Sequence, residues 1–326
     1  MNPGVGQATA LLADIGATNA RFALLREGKL GEVLTFPVAD HATSYGAVAA
    51  ALERLGSAQV PQTAVLAFAG PVDEARAVMT NAGWDTTEGE LRRRFGFSQV
   101  RLLNDYAALA LSLARLGDGD RLAIGGLEAA PDSGPPAPLA VLGPGSGLGV
   151  AALLPAEPAP RPLISEGGHV TMAATDRLEA DLFALLREDF GHVSAERVLS
   201  GPGLSNIHSA LTRLQGDVAE VLDPATVTHR GLEGGDPLCR QALDLFCLLL
   251  GTFAGNLALS YGARGGVYLA GGILPRFPDF LAASGFRARF EDKGRFRGYL
   301  QDIPTWLITR PNAAFLGLAA TAEQPF

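Results

Sequence analysis

Asp105 follows Asn104 at the end of the apolar run Val100-Arg101-Leu102-Leu103, and a helical pattern begins directly after it. In α/β proteins, clefts form at strand ends of this kind. A carboxylate there can accept a proton from a hydroxyl while the Asn104 amide holds a neighbouring hydroxyl. Asp and Asn are also favoured helix caps, so the pair reads equally as an Asx cap. Asp14 likewise ends an apolar run and opens a glycine-containing turn. It can hold Mg²⁺, directly or through water, while Thr18 and Asn19 contact phosphate, or it can simply form the turn. Arg21 can pair with Asp14, meet phosphate, or sit on the surface. Glu166-Gly167-Gly168-His169 places a carboxylate beside an imidazole on a tightly foldable backbone, a combination suited to a polyol. One Glu and one His are too few for a metal site. If Ser194 caps a helix, Glu196, in Ser194-Ala195-Glu196-Arg197, falls in its first turn. A negative charge is favoured there anyway, so helix stabilisation is its default role.

Two glycine-rich turns frame these groups. The first is Asp14-Ile15-Gly16-Ala17-Thr18-Asn19, between Leu11-Leu12-Ala13 and Ala20-Arg21-Phe22-Ala23-Leu24. The second is Gly143-Pro144-Gly145-Ser146-Gly147, between Ala140-Val141-Leu142 and Leu148 to Leu154. Glycine backbone can turn several amides toward one anion, because it reaches dihedrals closed to other residues. The spacing in the second turn superficially resembles the dinucleotide fingerprint, which must open a helix. Pro155, Pro158, Pro160 and Pro162 follow too soon for that. The other familiar phosphate loop needs Gly-Lys before Ser or Thr, and the only lysines are Lys29 and Lys293. Hairpin turns remain. They are either ordinary tight turns or a pair that holds one polyphosphate between two related halves.

Over 326 residues, 48% hydrophobic and 18% charged, the chain can fill two domain cores. A net charge of −8 argues against nucleic-acid or anionic-membrane partners. Cys239 and Cys247 lie in one apolar run and read as buried small hydrophobes, with no disulfide framework or zinc motif. Met1 to Gln7 lacks the features of a secretory leader, and a cytoplasmic location is expected. The uncharged stretch 245–263 reads as a buried core helix, because Gly, Thr, Asn and Ser interrupt it.

The elements that must position these groups follow from periodicity and punctuation. A hairpin is expected at 10–26, a helix at 43–56, a buried strand at 63–69, a polar helix at 87–95, a strand at 100–103 and a helix at 107–116. Asn81-Ala82-Gly83-Trp84 reads as a connection. Pro131, Pro135, Pro136 and Pro138 make a breaker-rich loop before the second hairpin. Helices are then expected near 176–190, 194–199, 203–214, 237–261 and 275–283, with a strand at 267–270 ending in Gly271-Gly272. A strand at 305–309 and a helix at 312–321 close the set. Both halves open on a hairpin and continue with strands and helices, which predicts α/β architecture with mixed sheets and suggests a duplication.

Read together, Asp14 to Arg21, Leu103-Asn104-Asp105, Glu166 to Val170, the run His192 to Gly203 and Ala270-Gly271-Gly272 resemble bacterial ATP-dependent glucokinases of the proteobacterial and cyanobacterial type. Gly285-Phe286-Arg287 and Glu291 to Phe296 match as well, and the likeness runs in order from about residue 10 to 318. The resemblance implies a two-domain, ribonuclease H-like fold of the actin/hexokinase type, with a sugar cleft between domains 1–115 plus 310–326 and 116–309. It implies transfer of the γ-phosphoryl of ATP, with Mg²⁺, to the 6-hydroxyl of glucose by a homodimer. Asp105 then corresponds to the catalytic base, and Asn104, Asp105, Glu166, His169 and Glu196 to the sugar-binding set. Asp14, Ile15, Gly16, Ala17, Thr18, Asn19, Gly145, Ser146, Gly147, Gly271 and Gly272 correspond to the nucleotide-binding turns. The chain departs from the pattern at Ala17, where many relatives carry Gly, and at Pro144, which removes one amide donor. A related group of sugar kinases and repressors adds a cysteine-rich zinc motif, which this chain lacks. Kinases for other hexoses and a non-catalytic sugar sensor are the rival expectations.

Overall fold

The structure is a computed structural model that describes residues 8–56, 60–73, 75–79, 82–125, 127, 135–218 and 220–324. The readings made on Met1 to Gln7, Asn81 and Pro131 lie outside these residues. The chain divides into two compact units. Unit one takes Met1–Gly117, Pro160–Ile164 and Pro311–Phe326. Unit two takes Asp118–Ala159 and Ser165–Arg310.

The sheet of unit one grows from the first hairpin. Ala8–Ile15 pairs antiparallel with Asn19–Arg26, placing Asp14 opposite Arg21. Ala8–Ile15 also pairs in parallel with Thr63–Phe68, which pairs in parallel with Gln99–Asn104. Thr63–Phe68 is buried along its whole length, as a central parallel strand covered on both faces must be. On one face Phe22, Phe36, Phe68 and Trp84 form a core. Full burial of one such aromatic stabilises the fold by about 1.5–3 kcal/mol. On the other face Leu12, Ala23 and Val65 meet Phe315 and Leu318 of the helix Ala314–Ala322. That helix also packs on the helix Asp105–Ser112 at backbone distance, because a Cβ on Gly317 would overlap the Ala108 carbonyl oxygen.

Unit two repeats the scheme. Leu139–Pro144 pairs antiparallel with Leu148–Leu154 and in parallel with Gly266–Leu269, which pairs in parallel with Thr305–Ile308. Arg121–Ala123 closes the far edge, antiparallel to Thr305–Ile308. Each sheet therefore has the order hairpin partner, first strand, second parallel strand, third parallel strand. The helix Pro237–Tyr261 runs through the core of unit two, capped at its start by Asp236 and ended by Gly262 at φ 60. It is long and apolar enough to cross a membrane, yet 78% of its apolar window is buried inside the protein. Gly251 and Gly255 allow the backbone of Phe286 and Phe290 against it, since a Cβ at either would meet those carbonyl oxygens.

Several expected bounds shift. The helix expected at 107–116 starts earlier, as Asp105–Ser112, and ends in a 3-10 turn Leu113–Arg115. The one expected at 194–199 shrinks to the 3-10 turn Ala195–Arg197, and the next begins at Gly201, capped by the Ser200 hydroxyl, which accepts from Gly203 N at 3.0 Å. The short strands Leu34–Pro37, Val72–Asp73, Arg76–Met79, Trp84–Thr87, Arg121–Ala123 and Arg161–Ser165 lie where no strand was expected, and the helices Pro224–Leu232, Phe286–Glu291 and Arg297–Gln301 where no helix was expected.

Candidate active site

In unit one, register brings the candidate groups to one sheet edge. Ile15 lies beside Phe68, and Phe68 beside Asn104, so the first turn and the Asn104-Asp105 corner stand at the carboxyl ends of neighbouring parallel strands. Two strand spacings separate Ile15 from Asn104, or about 10 Å.

The corner separates two roles that sequence left open. Asn104 is the helix cap. Its Oδ1 accepts from Tyr106 N at 2.9 Å and Ala107 N at 3.2 Å, and its Nδ2 donates to the Gly70 carbonyl at 3.1 Å. One Nδ2 hydrogen remains for a ligand. Asp105 is the first residue of the helix, and its Oδ1 accepts from Tyr106 N at 2.9 Å. The positive end of the helix dipole favours its charge.

The first turn is closed by Gly16 N donating to the Asn19 carbonyl at 2.9 Å, and by Val38 N donating to the Thr18 carbonyl at 2.8 Å. The Ala17 and Thr18 amides have no hydrogen-bond partner among the described residues. Neither Gly16 nor Ala17 has a positive φ, so alanine at 17 introduces no strain. Asp14 lies 3.6 Å from Arg21, with the two side chains 18% and 34% exposed. Burial raises the Asp14 carboxyl above its ordinary range, and the nearby guanidinium opposes that rise. Among the described residues no three His, Cys, Asp or Glu side chains gather as a metal cluster. A Mg²⁺ ion is commonly held through substrate phosphates and one carboxylate; Asp14 would supply the carboxylate, and the Ala17 and Thr18 amides would bind the phosphates rather than the ion.

In unit two the remaining candidates converge on the second hairpin. Gly145 N donates to the Gly147 carbonyl at 2.8 Å, closing the turn, and leaves the Ser146 and Gly147 amides without partners among the described residues. Pro144 is the last residue of its strand, opposite Leu148, so the missing amide lies in the ladder rather than at the tip. Ala270 N donates to the Leu142 carbonyl at 2.8 Å, bringing Gly271-Gly272 to the same edge. Gly271 is required on two counts: φ is +85, and a Cβ would overlap the Pro144 carbonyl oxygen. By contrast Gly145 and Gly147 have no positive φ. The expectation that glycine serves these turns through unusual dihedrals is corrected for them. Gly145 faces open space, whereas a Cβ on Gly147 would overlap a carboxylate oxygen of Glu196.

Glu196 is the second correction. Ser194 makes no side-chain cap, and the Glu196 carboxylate does not serve its own helix. Its Oε2 accepts from Leu148 N at 2.8 Å. Its backbone carbonyl accepts from the Ser200 hydroxyl at 2.8 Å. The Glu166-Gly167-Gly168-His169 turn is a 3-10 turn with His169 N donating to the Glu166 carbonyl at 3.0 Å. A Cβ on Gly168 would overlap the Leu148 carbonyl oxygen, so this turn presses on the same strand that holds Glu196. The Glu166 and His169 side chains are exposed and have no hydrogen-bond partner among the described residues. Behind the turn, Ser165 Oγ meets the Tyr261 hydroxyl at 2.8 Å and accepts from Gly167 N at 3.3 Å. Sequence reading missed Leu148, Ser200 and Tyr261 as supports. The Leu148–Glu196 bond spans 48 residues, and no local pattern encodes it.

Each unit thus offers amides for an anion at one sheet edge, with carboxylates for hydroxyls beside them. A profile of the glucokinase family matches residues 11–325. A glucokinase of Paramagnetospirillum magneticum is 44% identical over 317 residues, covering 97% of this chain and 98% of the relative. One of Chromobacterium violaceum is 45% identical over 322 residues, covering 98% and 91%. The crystal structure of a glucokinase from an Antarctic psychrotroph superposes with a TM-score of 0.85 at 37% identity, covering 96% of this chain and 98% of that one. This chain belongs to the glucokinase family.

Proposed function

We propose that the protein transfers the γ-phosphoryl group of ATP to the 6-hydroxyl of glucose. Asp105 takes the hydroxyl proton, the sugar oxygen forms a bond to the γ-phosphorus, and the bond to the bridging oxygen of ADP breaks in line. Glucose 6-phosphate and ADP leave, and the proton passes from Asp105 to solvent. Asn104, Glu166, His169 and Glu196 bind the sugar hydroxyls. The turns 14–19, 145–147 and 271–272 hold the phosphates of ATP, which enters as its Mg²⁺ complex beside Asp14. Phosphoryl transfer depends chiefly on positioning and charge stabilisation, so a site built from backbone amides and few lysines suffices. In this reading the actin/hexokinase-type domains are 1–115 with 310–326, and 116–309, and they take the sugar between them. The protein works in the cytoplasm as a homodimer, in the first phosphorylation step of glycolysis, without nucleic-acid or membrane partners.

The observation that carries the reading is the division of labour at the Asn104-Asp105 corner. Asn104 satisfies the amides of Tyr106 and Ala107, so a carboxylate at 105 is not needed as the helix cap. The test is an ADP-release assay on the purified protein over glucose, mannose, fructose and glucosamine, with and without Mg²⁺. The expected result is Mg²⁺-dependent ADP production with the highest kcat/KM for glucose. A higher kcat/KM for another hexose would reassign the substrate. Sugar binding without ADP production would make the chain a sensor.

A further inference from the structure

The second turn and the His192 to Gly203 segment are tied at two points. Gly201 N donates to the Gly145 carbonyl at 2.8 Å, and Leu148 N donates to Glu196 Oε2 at 2.8 Å. Between these ties Ser200 Oγ donates to the Glu196 carbonyl at 2.8 Å, so the connection closes on itself. Gly147 lies beneath the carboxylate. A Cβ there would overlap Glu196 Oε2, with Glu196 Cδ only 3.2 Å away. Gly145, in the same turn, has nothing within 4 Å of its missing Cβ. Neither glycine has a positive φ, so backbone conformation does not require either.

We infer that Gly147 is a positioning residue for the sugar: its missing side chain lets Glu196 reach the Leu148 amide, and that bond sets the carboxylate that receives a sugar hydroxyl. This rests on the reading of Glu196 as a sugar ligand. Oε2 is held by the amide, while Oε1 has no hydrogen-bond partner among the described residues and is the oxygen left for the substrate. The duty assigned to Gly147 thus lies on the sugar side, although the residue sits in a turn whose composition suggests phosphate. A methyl group at 147 must displace the carboxylate, because the backbone on both sides is held in a strand ladder and a closed turn. The cost to glucose is on the order of tenfold or more, the worth of one hydrogen bond to a charged group.

The experiment measures glucose affinity by calorimetry with no nucleotide present, so that changes at the phosphate side stay silent. Gly147→Ala is expected to weaken binding at least tenfold, and Gly145→Ala less than twofold. Glu196→Ala weakens binding on its own, and adding Gly147→Ala to it is expected to change affinity by less than twofold. Multiplying effects in the double variant, or full affinity in Gly147→Ala, would overturn the inference while leaving Glu196 as a ligand. Unchanged affinity in Glu196→Ala would overturn the ligand reading itself, and the inference with it. If Gly147→Ala does not fold, Gly147→Ala with Glu196→Asp decides, because the shorter side chain withdraws from the added methyl. Folding restored in that pair supports the inference, and failure of both refutes it.

Discussion

Asp105→Asn separates the chemistry of Asp105 from its structural surroundings. The substitution keeps the shape of the side chain and keeps an oxygen to accept from Tyr106 N, now held at 2.9 Å. Asn104 still caps the helix. The structural loss is the favourable charge at the helix start, about 0.3–1 kcal/mol. The chemical loss is a general base, worth roughly 10²–10⁴ in rate, or about 3–5 kcal/mol of barrier. Turnover is therefore expected to fall at least a hundredfold, with the melting transition moving by only a few degrees. Glucose affinity by calorimetry should stay within about threefold, because an amide oxygen still accepts from the 6-hydroxyl. Coupled ADP release, calorimetry and a thermal melt on one preparation measure all three. A loss of turnover under tenfold would refute the base assignment, and a loss of glucose binding equal to the loss of turnover would make Asp105 a binding group only.

Three further outcomes are expected. Burial raises the folded-state pKa of Asp14, so wild-type stability carries a penalty that grows as pH rises above 3.8 and is complete above the folded-state value; Asp14→Asn should gain on wild type over that rise in denaturant titrations, and a constant difference would refute the assignment. Burial pushes the Cys239 thiol up to about 11 and Cys247 to about 12, so neither should react with a thiol reagent at pH 8 in the native state, and both should react after denaturation; rapid native labelling would contradict the buried placement. Glu179 is fully buried, paired with Arg289, and accepts from Thr175 N at 2.6 Å; Glu179→Ala should cost about 1–3 kcal/mol in chemical denaturation, because it unpairs the Thr175 amide and takes the nearer carboxylate from a largely buried guanidinium that keeps Asp176 at 3.6 Å, and a loss under 1 kcal/mol would show that the pair adds little.

The parts of the site that sequence makes legible are those whose causes are local. The two hairpins announce themselves as apolar runs on either side of a turn, and the Asn104-Asp105 corner as polar residues between a strand and a helix. What sequence assigns wrongly is the reason for a residue. Gly147 reads as backbone freedom, but the structure shows clearance for a side chain 49 positions away in the chain. Glu196 reads as a helix-start charge, but it bonds an amide on a distant strand. Both errors arise because propensity sees neighbours in sequence while these contacts are set by tertiary packing. The missed strands have a different cause. Val72–Asp73 and Arg76–Met79 are too short for alternation to register, and Arg161–Ser165 carries a proline that demotes a strand reading.

The helix Ala314–Ala322 packs on the helix Asp105–Ser112 and supplies Phe315 and Leu318 to one face of the first sheet. Its residues are translated after all of unit two. Domains usually fold as they emerge, amino-terminal part first. Here the unit that opens the chain has only the helix Asp105–Ser112 on one face of its sheet throughout synthesis of the other. The order of completion is the reverse of the order of translation, and the cover that Phe315 and Leu318 give to Leu12, Ala23 and Val65 comes only with the helix Ala314–Ala322.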